Sequence, residues 1–277
     1  PIKWYSSKIA GVPFILRNLL TLQKADIKTL VVFMEDPHGD FQKSFEKILQ
    51  DPRLSQDIIW IGNITQLKEW IQNNPNPVYI FNGSALHDNK KLYQLIRSET
   101  QNGEESFFPI SPENLKDLLL NNCVDSIIRG SSESKHMGFP LYISGSKDVE
   151  IQKPEDFKIL HEAQMRNSGL HHDSAITRIL SRPVSRVLTR MFLNTSISPN
   201  QITLISFFLG LTSAFLFSRG YYESSVIASV LLVLSTWIDG ADGEIARLKF
   251  MESDIGKKLD LYCDNIIHFL VFTAIGY

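Results

Sequence analysis

Residues 11 to 165 alternate short apolar runs with segments of helical periodicity. Residues 29–33 (TLVVF), 58–61 (IIWI) and 78–81 (VYIF) are unbroken apolar runs rich in β-branched and aromatic side chains. That is how strands of a parallel sheet read when both faces are covered. Residues 15–24, 41–49, 65–72 and 89–97 between and around them carry helical patterns. Strand–helix alternation predicts a layered α/β domain. Residues 106–110, 126–129 and 141–144 are expected to add strands. A helix is expected over residues 154–167, with Pro154 at its first position and Glu155 and Asp156 in its positive first turn.

The pattern changes after a polar linker at 168–174 (SGLHHDS). Arg178, Arg182, Arg186 and Arg190 recur at every fourth position, beside Val184, Val187, Leu188 and Met191. On a helix beginning near Ser181, with Pro183 in its first turn, this places a basic stripe beside an apolar face, as in helices that lie at a membrane surface. From Met191 to Ser218 there is no charged residue, and residues 202–217 (ITLISFFLGLTSAFLF) are strongly apolar. A second uncharged run covers 224–238, and a third, starting near Leu259, is uncharged from Asn265 onward. About 20 apolar residues cross a bilayer core, so three spans are predicted, the last nearly complete. Arg247, Lys249, Lys257 and Lys258 lie between spans two and three, whereas only Arg219 lies between spans one and two. The excess of cations on one side places the front domain and the second loop in the cytoplasm.

Composition narrows the classes. Twenty-eight Lys and Arg against 30 Asp and Glu give a net charge of −2, which excludes nucleic-acid binding by bulk positive charge. A charged fraction of 21% beside 43% hydrophobic residues excludes a wholly disordered chain. Two cysteines, Cys123 and Cys263, make neither a disulfide framework nor a cysteine-only zinc site. The opening residues have no apolar core of signal-peptide length and no initiator Met, and the sequence is expected to be part of a longer protein.

The chemistry concentrates in residues 239–264, DGADGEIARLKFMESDIGKKLDLYCD. Asp239 and Asp242 are three residues apart, and Asp260 and Asp264 four, so each pair shares one helical face at a membrane helix end. Four facing carboxylates repel unless a cation lies among them. Oxygen-only ligation suits Mg²⁺ or Mn²⁺ rather than zinc. Gly240, Gly243, Ala246 and Gly256 leave room against the backbone, and Arg247 suits a phosphate. A diphosphate ester fits such a site. A solvated acidic helix end is the plainer alternative, and an EF-hand loop is excluded by the missing alternation of ligands and the missing Glu at its twelfth position.

Between two spans, Asp239-x2-Asp242-Gly243-x2-Ala246-Arg247, followed after eight residues by Gly256-x3-Asp260-x3-Asp264, resembles at every defining position the signature of the CDP-alcohol phosphotransferase family of membrane enzymes. Arg182-Pro183-Val184-Ser185 and Ser198-Pro199-Asn200-Gln201-Ile202-Thr203 resemble that family's entry to its first helix. The resemblance covers about residues 173–277. The layout is similar to the subgroup with a nucleotidyltransferase-like domain in front, which includes archaeal di-myo-inositol-phosphate-phosphate synthases. It implies a Rossmann-like α/β cytoplasmic domain (1–170), a linker and interfacial helix (171–196) and an incomplete helical transmembrane domain (197–277), with about six spans in whole members. It also implies transfer of a substituted phosphate from a CDP-alcohol to an acceptor alcohol, releasing CMP, with two Mg²⁺ or Mn²⁺ ions. Asp239, Asp242, Asp260 and Asp264 would be metal ligands, and Asp264 is also the candidate base. Asp239, Gly243, Ala246, Arg247, Gly256, Asn200 and Thr203 would bind CDP. Arg182 and Arg186 are candidates for an acceptor phosphate, with lipid headgroups as the alternative. Partners would be the two substrates, the bilayer of the cytoplasmic membrane and a second copy of the chain, with no nucleic acid.

The front half resembles a nucleotidyltransferase domain with pieces missing. Gly11-Val12-Pro13-Phe14-Ile15, a helix and Ala25-Asp26-Ile27 resemble the part following the first phosphate loop, but no Gly-rich basic loop precedes Gly11. Phe81-Asn82-Gly83-Ser84 stands where a metal-binding Asp is expected, and Ser84 is a poor carboxylate substitute. A structural or regulatory front domain is therefore expected; a bifunctional enzyme that also makes its CDP-alcohol, and a non-catalytic membrane-anchored protein, are the alternatives. His171, His172, His268 and Cys263 read as solvated or packing residues.

Overall fold

A computed structural model describes residues 2–27, 29–34, 40–55, 58–74, 81, 83, 86–87, 92, 151, 153–167 and 182–276. The expected strands at 106–110, 126–129 and 141–144, most of the expected 89–97 helix, Ser84, His171, His172 and Arg178 lie outside them. The chain divides into two compact units. One comprises Pro1–Lys8 and Pro13–Lys158, the other Ile9–Val12 and Ile159–Tyr277.

In the first unit, α1 (Ile2–Ser6) precedes α2 (Phe14–Lys24), and a β-α-β segment follows: β3 (Leu30–Phe33), α3 (Asp40–Leu49) and β4 (Ile58–Ile61), then α4 (Ile64–Asn73). The short strands β1 (Lys8–Ile9) and β2 (Val12–Pro13) come between α1 and α2. Strands β3 and β4 pair in parallel, Leu30 opposite Ile58 and Phe33 opposite Ile61, the pairing that a helical crossover allows. Helix α4 starts where Asn63 accepts the amide of Gln66 at 2.8 Å, a side-chain cap. The core gathers Ile15, Leu19, Leu22, Leu30, Phe45 and Leu92. Helix α2 also buries Arg17, whose desolvation and proximity to the Arg53 charge lower its pKa to about 10.

The second unit is helical: most of α5 (Pro154–Asn167), then α6 (Arg182–Leu193), α7 (Pro199–Phe217), α8 (Tyr222–Leu248) and α9 (Asp254–Gly276). Helices α7, α8 and α9 are each long and apolar enough to cross a membrane. Ser198 begins α7 with a reciprocal capping box to Gln201, and Pro199 opens the helix. At 1.5 Å per residue α8 is about 40 Å long, against about 30 Å of hydrocarbon. The expected second span stops at Asp239, but the helix continues unbroken to Leu248 and carries the acidic motif with it.

Small and hydroxyl residues bring α7 against its neighbours. Ser213 Oγ donates to the carbonyl of Ala228 at 2.7 Å, and Ser235 Oγ to that of Ser206 at 2.7 Å. Gly210 lies so near α9 that a Cβ there would meet Ile267 side-chain atoms at 2.6–3.0 Å. Close approach through small residues and interhelical hydroxyl bonds are the means by which helices associate where no hydrophobic gain is available. Phe208, Phe215, Phe269 and Phe272 remain exposed, as lipid-facing side chains do.

Candidate active site

Each acidic pair sits on a continuous helix, so its spacing becomes geometry directly. Asp239 and Asp242 occupy consecutive turns of α8, and Asp260 and Asp264 consecutive turns of α9. Carboxylate oxygens of Asp239, Asp260 and Asp264 all lie within 4.8 Å of one another. Asp242 falls outside that trio; its Oδ2 accepts the hydroxyl of Thr203 on α7. Ser206, one turn further along α7, places its Oγ 3.2 Å from Asp239 Oδ1. The first span therefore holds both α8 carboxylates by hydroxyls.

Asp260 Oδ1 is buried and has no hydrogen-bond partner among the described residues. A buried carboxylate oxygen without a donor is costly, and two further carboxylates close by raise the cost. One oxygen from each of the three lies near enough to the others to share a cation, so these residues would suit a hard divalent ion such as Mg²⁺ or Mn²⁺.

A cleft opens beside the trio. Asn200 and Thr203 line it from α7, Asp242, Gly243, Ala246 and Arg247 from α8, and Gly256 and Asp260 from α9. Of the residues expected to bind CDP, only Asp239 is not on its wall. A Cβ on Gly256 would fall 2.9 Å from Asn200 Oδ1, so the absence of a side chain there lets Asn200 into the cleft. Lys257, Glu252, Ser253 and Met251 also line it. They belong to the α8–α9 connection and the start of α9, where sequence spacing gives no signal.

The arginine helix packs beside α8 without lining this cleft. Arg186 is not on its wall, and Arg190 is engaged by Glu162 at 2.7 Å. Arg182 begins α6. Nearer the end of α8, Glu244 is fully buried and accepts the Thr189 hydroxyl at 2.7 Å. Lys249 is buried and donates to the carbonyls of Thr195 at 2.9 Å and Phe192 at 3.4 Å. Gly11, at φ 77°, lies close to the Leu193 carbonyl and the Lys249 stem. His268 is exposed and Cys263 buried.

Three helices long and apolar enough to cross a membrane thus carry a carboxylate trio beside an open cleft. Residues 196–277 match the family described as CDP-alcohol phosphatidyltransferase. It is similar to the bifunctional IPC transferase and DIPP synthase of Aquifex aeolicus, 29% identical over 178 residues, 62% of this chain and 38% of the relative. The protein of the same description from Archaeoglobus fulgidus is 32% identical over 139 residues, 49% of this chain and 27% of the relative. The archaetidylinositol phosphate synthase of Pyrococcus horikoshii is 28% identical over 93 residues, 34% of this chain and 47% of the relative. The matches thus span less than half the length of each of these relatives.

Proposed function

We propose that this chain supplies the metal- and nucleotide-binding side of an integral membrane CDP-alcohol phosphotransferase, with its front domain in the cytoplasm. The observation that carries this reading is the carboxylate trio of Asp239, Asp260 and Asp264 opening beside a cleft lined by Gly243, Ala246, Arg247 and Gly256. Asp239, Asp260 and Asp264, with Asp242, would hold two divalent ions, which when bound supply neutralisation of the diphosphate charge. The small residues admit the nucleotide against the helix backbone. Arg247 pairs with a phosphate oxygen, and Asn200 and Thr203 orient the donor from α7. The acceptor hydroxyl oxygen bonds to the β-phosphorus. The bond from that phosphorus to the oxygen it shares with CMP breaks, and CMP leaves with the electron pair. Asp264 accepts the hydroxyl proton.

An acceptor bearing its own phosphate would meet Arg182 and Arg186. The Pyrococcus relative's name contains an inositol phosphate, which makes phosphorylated polyols the first acceptors to try. The test is CMP release by the full-length protein in detergent, with Mg²⁺, a CDP-lipid or CDP-polyol donor, and a panel of polyols with and without phosphate. Release that needs the acceptor supports the reading; none with any pair overturns it.

The Aquifex and Archaeoglobus relatives are described as bifunctional, which favours a second reading in which the front domain makes the CDP-alcohol. Ser84 in place of an acid argues for a structural domain instead, since a hydroxyl does not balance a metal-bound triphosphate. Diphosphate release from CTP by the full-length protein decides between them.

A further inference from the structure

Three contacts join α6 to α8 in one register. A Cβ on Gly240 would lie 3.8 Å from Ser185 Cβ. Four residues on, the Thr189 hydroxyl donates to Glu244 Oε2 at 2.7 Å, a pair 55 positions apart in sequence. Four further on, Leu193 and Leu248 share a buried cluster with Ala10 and Met165. The rows 185, 189, 193 and 240, 244, 248 advance together, so the two helices run parallel, with their every-fourth-residue ridges facing. The contacts are small against small, hydroxyl against carboxyl, and apolar against apolar. Only the middle one is strongly specific to register. Slipping α6 by a turn one way would put Leu193 against the Glu244 carboxyl, which then has no hydroxyl; slipping it the other way would offer the Ser185 hydroxyl but set the buried Thr189 hydroxyl against Leu248, and burying a polar group without its partner is costly. Ser185 and Thr189 are themselves buried.

The arginine row lies one residue round α6 from this seam, and the register sets Arg186 level with Ala241, between Asp239 and Asp242. Arg186 Nε is buried with no hydrogen-bond partner among the described residues. We propose that Glu244 is a positioning residue: through Thr189 it fixes the axial level of the arginine helix against the carboxylate helix, and so holds Arg186 where an anion beside the aspartates would be bound. This rests on the acceptor-phosphate role given to Arg186 above.

The experiment uses the full-length protein in detergent, in two arms. In the first, Ser185→Cys with Gly240→Cys is oxidised and the 185–240 disulfide followed by mass spectrometry; a 3.8 Å Cβ separation suits a disulfide. Adding Thr189→Val or Glu244→Ala is expected to slow that disulfide threefold or more, while Thr189→Ser keeps it within twofold. In the second arm, without the cysteines, Thr189→Val is expected to weaken inorganic phosphate binding at least fivefold and leave CMP binding within twofold, with Thr189→Ser again near wild type. Unchanged disulfide rates overturn the proposal. So does equal weakening of phosphate and CMP, which marks a general structural loss, and so does a wild-type protein that binds CMP but no phosphate. Failure to bind CMP at all, with the other results as expected, contradicts the proposed function and leaves the register intact.

Discussion

Ser206 on the first membrane helix places its hydroxyl 3.2 Å from Asp239 Oδ1 on the second, while its own carbonyl accepts the Ser235 hydroxyl at 2.7 Å. One residue thus ties a carboxylate of the proposed metal site and the helix that carries it to the same neighbour. Groups that orient a metal ligand typically govern metal affinity by 10–100-fold. Ser206→Ala is expected to lower Mn²⁺ affinity roughly tenfold, read from the paramagnetic resonance of free Mn²⁺. Unchanged affinity would mean the hydroxyl serves packing alone.

At Gly210, α7 comes so near α9 that a Cβ would meet Ile267 side-chain atoms at 2.6–3.0 Å. Gly210→Val adds three carbons where one already collides, and overpacking of this kind costs about 1–3 kcal/mol. The full-length protein should lose thermal stability in detergent, and Ile267→Ala should restore part of it by vacating the space. Additive destabilisation by the two substitutions would contradict this contact.

Gly256 gives Asn200 its place in the cleft, since a Cβ would fall 2.9 Å from Asn200 Oδ1. Gly256→Ala is expected to raise the KM for the CDP-alcohol at least fivefold with little change in Mn²⁺ affinity. A fall in metal affinity with KM unchanged would place the defect at the carboxylates instead.

In the first unit, the Arg53 side chain donates to both Asp51 oxygens at 2.7 Å. Those hydrogen bonds hold Asp51 below the usual carboxylate range, against desolvation that acts the other way. The folded pKa is lowered, so the pair's stabilisation is complete above the unfolded value near 3.9 and fades as pH falls through the folded one. With both groups partly exposed it amounts to about 0.5–1 kcal/mol. Hydrogen exchange of residues 50–55 in the full-length protein should be faster in Asp51→Asn at pH 7, with the difference from wild type shrinking in acid. A difference that is constant with pH would exclude an ionic origin.

The site was legible in the sequence to the extent that it is local. Asp239, Asp242, Asp260 and Asp264 announce their faces by spacing, and the uncharged runs announce the helices that carry them. Asp242's bond to Thr203 and Ser206's to Asp239 join residues more than 30 positions apart, and nothing in their local pattern pairs them. Glu244 reads as an ordinary charge within an acidic helix, and only the packing of α6 shows it fully buried. Lys249 looks like one more cytoplasmic cation, yet it caps the end of α6. Ile9–Val12 groups with the helical unit although its sequence resembles the front domain, because its neighbours, Leu193 and Lys249, are distant in the chain. The strands β3 and β4 were legible because apolar runs around a helix have few other solutions.

We propose that the aspartates of α8 and α9 bind the metal that phosphoryl transfer requires. The most direct measurement is CMP release from a CDP-alcohol by the full-length protein, before and after exhaustive chelation and on adding back Mg²⁺ or Mn²⁺, with Asp260→Asn in parallel. Release is expected to stop on chelation and return with either ion, and Asp260→Asn to lose at least a thousandfold in rate, no less than Asp264→Asn. Release that survives chelation, or that persists undiminished in Asp260→Asn, would contradict it.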